Sequence, residues 1–305
     1  MTKELKIDFM IEKRINLFWW ARTNNLGDNL SPYLVERLSG QKIAPLPFKY
    51  TKDTVLHIIR QLWNFKRLYK QDLMGELVPE SPCMTAIGSI LGECPADAVV
   101  WGSGFLEASH MYRGNPIAAC RGALTRDVLI KQGAHLPAQL PLGDPAILTP
   151  LVHNRSVEKK YTVGLIPHIS ELDYFTKHYG AHRIIRFDTD RVWDTIDELR
   201  SCAYILSSSL HGIILAHAYG IPAIWVNTGI LSSSAFKFHD YFSSVQIPFY
   251  YGFFDLKEVL SSEADVMRFF NQHAALSLPH IDLAEAQQAL LRVAPFEVLP
   301  EYLTK

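Results

Sequence analysis

No stretch of about twenty apolar residues occurs in the 305 positions, so the sequence offers no transmembrane helix, and any membrane contact would be peripheral or through a partner. The opening residues, MTKELKIDFMIEKRINLFWW, alternate charge with short apolar pieces and lack the uninterrupted core of a signal peptide, which predicts a cytoplasmic protein. Cysteine is scarce. Cys83, Cys94, Cys120 and Cys202 are widely spaced and show no paired-ligand pattern, which speaks against a disulfide framework or a structural zinc site and for a reducing compartment. An excess of either charge is also missing: 30 Lys plus Arg against 31 Asp plus Glu leave a formal net charge of -1, so no broad field draws a nucleic-acid backbone. The twelve histidines form no HExxH and no compact Cys/His cluster, so no metal ligands are expected, and divalent-cation dependence stays open. There is no GxSxG elbow, no Walker motif and no complete GxGxxG fingerprint, and GSG at 102–104 is too short to specify a nucleotide.

What is present reads as an α/β enzyme. A hydrophobic content of 48% with 20% charge excludes a disordered or fibrous chain, and the length suits two domains of about 150 residues. Short apolar strands are expected at 15–20, 84–87, 98–101, 117–120, 161–167, 183–187, 203–206 and from 223. Helices are expected from a Ser31 cap with Pro32 at its first position to Gly40, over 54–70, from a Thr125 cap to Gly133, around 194–199, after His211 to Gly220, and near 262–276 and 281–293. The polar stretch 149–160 reads as the interdomain connection, dividing the chain into 1–150 and 151–305.

In parallel α/β sheets, ligands collect at the carboxyl edge, where several polar islands fall. Asn24, Gly27 and Asp28 follow the first strand; Gly27 would permit close approach, and Asp28 is either a sugar-hydroxyl acceptor or a helix cap. Arg121 sits at a strand exit, where its fork suits a carboxylate or phosphate, whereas Arg126 and Lys131 read first as solvated helix-face residues. Asp144 in the GDP turn reads as structural, and His217 as a buried packing residue. His168 ends another strand. His211 follows three serines at a helix start, among backbone donors suited to an anion, with proton transfer and a capping role both open. The segment 234–242, with Lys237, His239 and Asp240 among aromatics, reads as a lid or acceptor wall or as ordinary core.

NNLGDNL at 24–30, VVWGSGF at 99–105, RGALTRDVLIKQG at 121–133, LGDPAIL at 142–148, VGLIPH at 163–168 and SSSLHGIILAHAYGIPAI at 207–224 together resemble the polysaccharide pyruvyl transferase family. The resemblance implies two Rossmann-like lobes similar to the GT-B glycosyltransferase architecture, with the C-terminal helices packing back across them. It implies phosphoenolpyruvate as donor, no tightly bound cofactor, and a cyclic ketal formed on two hydroxyls of a surface-polysaccharide sugar with release of phosphate. The expected partner is a lipid-linked oligosaccharide at the inner face of the cytoplasmic membrane, alongside polysaccharide assembly machinery. The family histidine matches His211, proposed as proton donor to the methylene carbon, and its donor-binding arginine matches Arg121. Some members carry Arg-Leu-His where this chain has Ser209-Leu210-His211, so another cation must supplement Arg121, with Lys237 first and Arg126 second. Ser208, Ser209, Leu210 and Gly212 would supply amides to the donor, and Asp28 or His168 would orient or deprotonate the acceptor. The alternatives are a GT-B-type glycosyltransferase using a nucleotide sugar and a noncatalytic glycan-binding protein.

Overall fold

The computed structural model describes residues 14–21, 24–44, 48–49, 78–79, 83–229 and 235–303. The helix expected over 54–70 lies outside the described residues. Two parallel sheets organise the chain. The first has β1 (Arg14–Phe18), β2 (Lys42–Ala44), β5 (Met84–Thr85), β6 (Val99–Trp101) and β7 (Ile117–Ala119) in the order β2-β1-β5-β6-β7. A parallel bridge from Cys120 to Leu142 extends its far edge. Between β2 and β5 a small antiparallel pair joins β3 (Phe48–Lys49) to β4 (Val78–Pro79). The second sheet has β8 (Tyr161–Ile166), β9 (Arg183–Ile184), β10 (Cys202–Ser207) and β11 (Ala223–Trp225) in the order β11-β10-β8-β9.

Strand order decides where a ligand fits. In the first sheet the chain steps from β1 outward to β2, then returns to the other side of β1 for β5. In the second it steps from β8 to β9, then returns to the other side of β8 for β10. The loops leaving β1 and β5 therefore diverge, as do those leaving β8 and β10, and each divergence opens a crevice at the carboxyl edge.

Helix α1 (Leu26–Ser39) begins six residues earlier than a Ser31 cap with Pro32 at the first position predicts. Asn25 caps it by accepting from Gly27 N at 3.2 Å, and Gly40, at φ +66°, ends it in the left-handed conformation. Ser31 instead sits fully buried inside the helix, its hydroxyl accepting from Ile87 N at 3.4 Å. Pro32 is tolerated mid-helix at the loss of one backbone donor, offset by the stripe of Leu26, Leu30, Leu34, Val35 and Leu38, all completely buried. Burial of each such side chain stabilises by about 1.5–3 kcal/mol. Helix α2 (Ala123–Lys131) likewise starts before Thr125, with Gly122 at its cap position. The expected connection is partly helical: α3 (Thr149–Val152) occupies its first four residues, and 153–160 are irregular.

The remaining helices are α4 (Leu172–Tyr179), α5 (Val192–Arg200), α6 (Leu210–Ala218), α7 (Phe236–Ser244), α8 (Glu263–Gln272), α9 (Ala274–Ser277) and α10 (Leu283–Arg292). Every residue of α6 from Leu210 to His217 is buried, as its all-round apolar sequence requires. One core cluster runs from Leu17, Met84 and Trp101 of the first sheet through α1 and α6 to Ile205 and Trp225 of the second. Helix α10 reaches back to the first half, where Leu290 O accepts from Trp101 Nε1 at 2.9 Å and Gln287 Nε2 donates to Ile147 O at 2.7 Å. Among the described residues no helix is long and apolar enough to cross a membrane.

Candidate active site

The two crevices face each other. A cleft of about 270 Å³ is lined by Trp20, Asn25 and Asp28 after β1, Ser89, Ile90 and Glu93 after β5, His168 and Ile169 after β8, Ser209, Leu210 and His211 after β10, and Lys237 from α7. Glycine sets the closeness of approach: a β-carbon on Gly27 would fall within the His211 ring, so the first turn of α1 and that of α6 touch only because position 27 has no side chain.

His211 is 7% exposed, and its Nε2 has no hydrogen-bond partner. Burial, then the charges of Arg121 and Lys237, push its pKa down to about 3, so the resting imidazole is neutral. Its Nε2 faces Asp144 Oδ2 at 3.9 Å, just outside hydrogen-bond reach, and that oxygen too is buried without a partner. The other Asp144 oxygen accepts from Ala146 N at 3.0 Å and caps the short 3-10 turn Pro145–Leu148. Asp144 therefore caps a turn, as its GDP setting suggests, and also confronts His211, which sequence reasoning missed. The available signal was an acid placed directly before the apolar run PAIL, where a carboxylate must be buried.

Lys237 is 6% exposed, with burial and Arg121 lowering its pKa to about 8 while Asp28 and Glu171 hold it up. Asp28 accepts from Asn25 Nδ2 at 2.8 Å, yet burial raises its pKa to about 7. His168 donates its backbone N–H to Ser208 Oγ at 2.9 Å, which ties the two loops of the second sheet together, and its ring pKa falls to about 4 through burial and Lys237. Ser209 is the N-cap of α6 but makes no side-chain capping bond, so the first turn of this nine-residue helix is uncapped by its own side chain. An acid poised near neutrality, two neutral imidazoles, a buried ammonium and a helix N-terminus thus share one cleft.

Other residues singled out in the sequence fall elsewhere. Arg121 is completely buried behind the cleft, donating from Nε to Asp240 Oδ2 at 2.9 Å, from Nη1 to Ser89 Oγ at 2.6 Å and from Nη2 to Phe105 O at 2.6 Å. Arg126 lies on the exposed face of α2, paired with its neighbour Asp127 at 2.9 Å. Gly212 is a packing position, because a β-carbon there would meet Ser207 Oγ and Ile166. His217 bonds Tyr241 Oη at 3.1 Å and Ser277 O at 3.1 Å within the core. The aromatics of α7 are also core, with Phe238 stacked on Trp225 at 4.2 Å, so Lys237 is the residue that this helix sends to the cleft.

Fold and site together define an α/β protein of parallel sheets with a polar cleft between facing crevices. Residues 142–229 match the family model described as polysaccharide pyruvyl transferase. Asp144, His168, Ser209 and His211 lie in that segment, while Asp28, Ser89, Arg121 and Lys237 come from outside it. The chain is also 26% identical over 249 residues to a protein of Acanthamoeba polyphaga mimivirus described as uncharacterized, an alignment covering 76% of this chain and 74% of the viral one. No solved structure matches.

Proposed function

We propose that the protein transfers the pyruvyl group of phosphoenolpyruvate to two hydroxyls of one sugar in a surface-polysaccharide precursor, forming a cyclic ketal and releasing phosphate. The observation that carries this reading is the cleft itself: Lys237, the uncapped first turn of α6 and His211 converge on one cavity, within reach of a segment similar to polysaccharide pyruvyl transferases. On this reading 1–150 and 151–305 act as two Rossmann-like lobes of GT-B type, and the donor enters as a substrate with no tightly held cofactor.

The resting charges suit a doubly anionic donor. Burial first, and the charges of Arg121 and Lys237 second, hold His211 neutral; a phosphate and a carboxylate arriving beside those cations offset the second cause and raise the imidazole's proton affinity. Protonated in the complex, His211 delivers its proton to the methylene carbon, which becomes the methyl group, and positive charge develops on the adjacent carbon. One sugar hydroxyl adds there and gives up its proton to Asp28, the cleft carboxylate with a pKa near neutrality, or to His168. The carbon–oxygen bond to phosphate then breaks, the second hydroxyl takes its place, and its proton leaves with the phosphate. Asp144 faces the imidazolium that forms transiently. Holding both hydroxyls against the donor carbon adds the gain of proximity. A lipid-linked acceptor would be met at the inner face of the cytoplasmic membrane.

Calorimetric titration with phosphoenolpyruvate, with nucleotide sugars and phosphate as controls, tests the donor. Selective binding followed by phosphate release on adding lipid-linked sugars is the expected result, and tight nucleotide-sugar binding with silence toward phosphoenolpyruvate would instead indicate glycosyl transfer. His211→Ala is expected to remove turnover with little change in the thermal transition.

A further inference from the structure

Arg121 is rich in donors but stops short of the cleft. Of its three partners, Asp240, Phe105 O and Ser89, only Ser89 also lines the cavity. A guanidinium can only donate, so in the 2.6 Å bond from Arg121 Nη1 the Ser89 oxygen is the acceptor, and its own hydrogen must point away. Among the described residues the Ser89 hydroxyl makes no other hydrogen bond. What remains open to that hydrogen is the cleft.

The loop carrying Ser89 is fixed on several sides. Gly88 O accepts from Ser103 Oγ at 2.8 Å and from Gly104 N at 3.1 Å, Leu91 N donates to Gly104 O at 3.2 Å, and Gly88 itself stands at φ +122°. The hydroxyl is thereby held at the crevice between β1 and β5, in the same cavity as His211 and the first turn of α6.

We propose that Ser89 is an anion-binding residue of this cleft, whose hydroxyl, polarised by the hydrogen bond it accepts from buried Arg121, donates to a phosphate or carboxylate oxygen of the ligand. Accepting from a cation polarises the O–H bond and strengthens it as a donor. The arrangement lets a fully desolvated arginine act on a ligand that it does not touch. For phosphoenolpyruvate the inference rests on the function proposed above; for inorganic phosphate it stands alone.

The test is titration of the full chain with phosphoenolpyruvate and, separately, inorganic phosphate, in the wild type, Ser89→Ala and Ser89→Cys. Cysteine keeps the side-chain size and a weak acceptor for Arg121, so it guards against a folding defect in the alanine variant. Loss of a hydrogen bond to a charged group predicts that both anions bind about tenfold or more weakly in each folded variant. Unchanged affinity in either folded variant overturns the proposal, even if wild-type phosphoenolpyruvate binding upholds pyruvyl transfer. Phosphate binding that weakens in the variants, with no phosphoenolpyruvate binding at all, supports Ser89 and sinks the pyruvyl donor instead. A wild-type cleft blind to both anions overturns both.

Discussion

Truncation of Asp240 should be among the most damaging single changes in this protein. Its carboxylate answers three buried donors at once: Arg121 Nε at 2.9 Å, Thr125 N at 2.7 Å and Thr125 Oγ1 at 2.7 Å. Arg121 and Asp240 are both completely buried, so in Asp240→Ala a guanidinium remains in the core without its counter-charge, and an amide loses its acceptor. Breaking a buried pair from one side costs roughly 3–5 kcal/mol. The orphaned amide alone is worth about 1–3 kcal/mol, but the two overlap, and we expect about 4 kcal/mol in all. At roughly 2–4 °C per kcal/mol the thermal midpoint falls by about 8–16 °C. The double variant Arg121→Met with Asp240→Leu removes both charges and should recover most of that loss, since apolar replacement of a whole buried pair is often near neutral. Scanning calorimetry at one pH reads all three proteins. A shift under about 3 °C in Asp240→Ala, or a double variant no more stable than the single one, would refute the view of this pair as a pin holding α2 to α7.

The Gly27→Ala substitution forces the His211 ring or the first turn of α1 aside, and a displacement of that order should lower turnover about 100-fold, read as phosphate release from the donor. The pH dependence of folding for one, and of anion binding for the other, should separate the two buried titratable groups Asp28 and Lys237. Asp28 has a folded pKa near 7 against a usual 3.8, so the folded state holds its proton more tightly, and stability relative to Asp28→Asn declines as pH rises between those values, measurable by urea unfolding at pH 4, 5.5 and 8. Lys237, depressed from 10.5 to about 8, should lose its charge as pH climbs past 8; binding of sulfate, whose own charge is constant there, should weaken over that range in the wild type and vary little in Lys237→Met.

Local signals point to many of the residues that line the candidate cleft. The strand, polar loop and helix around NNLGDN, and the serine turn before LHG, were legible because β-branched runs, glycine and cap residues act over a few positions. Helix starts were less so: Ser31 and Thr125 are good caps by type, but both were drawn inside helices by tertiary partners, Ile87 N for the first and Asp240 for the second. Aromatic spacing at 236–242 fitted a sugar platform and a core equally well, and packing on Trp225 decided for the core.

The sequence by itself determined the parallel α/β class, the edge on which polar residues gather, and the choice of His211, Asp28 and Lys237 as candidates, since periodicity, turn chemistry and residue type are properties of short segments. Only the tertiary structure decided that Asp144 faces His211, that Gly27 gives the ring its space, and that Arg121 stands behind Ser89 with Asp240 as counter-charge. These pairings join residues 32 to 184 positions apart, and their burial removes the water that would otherwise screen them; neither effect is written in any one stretch of chain.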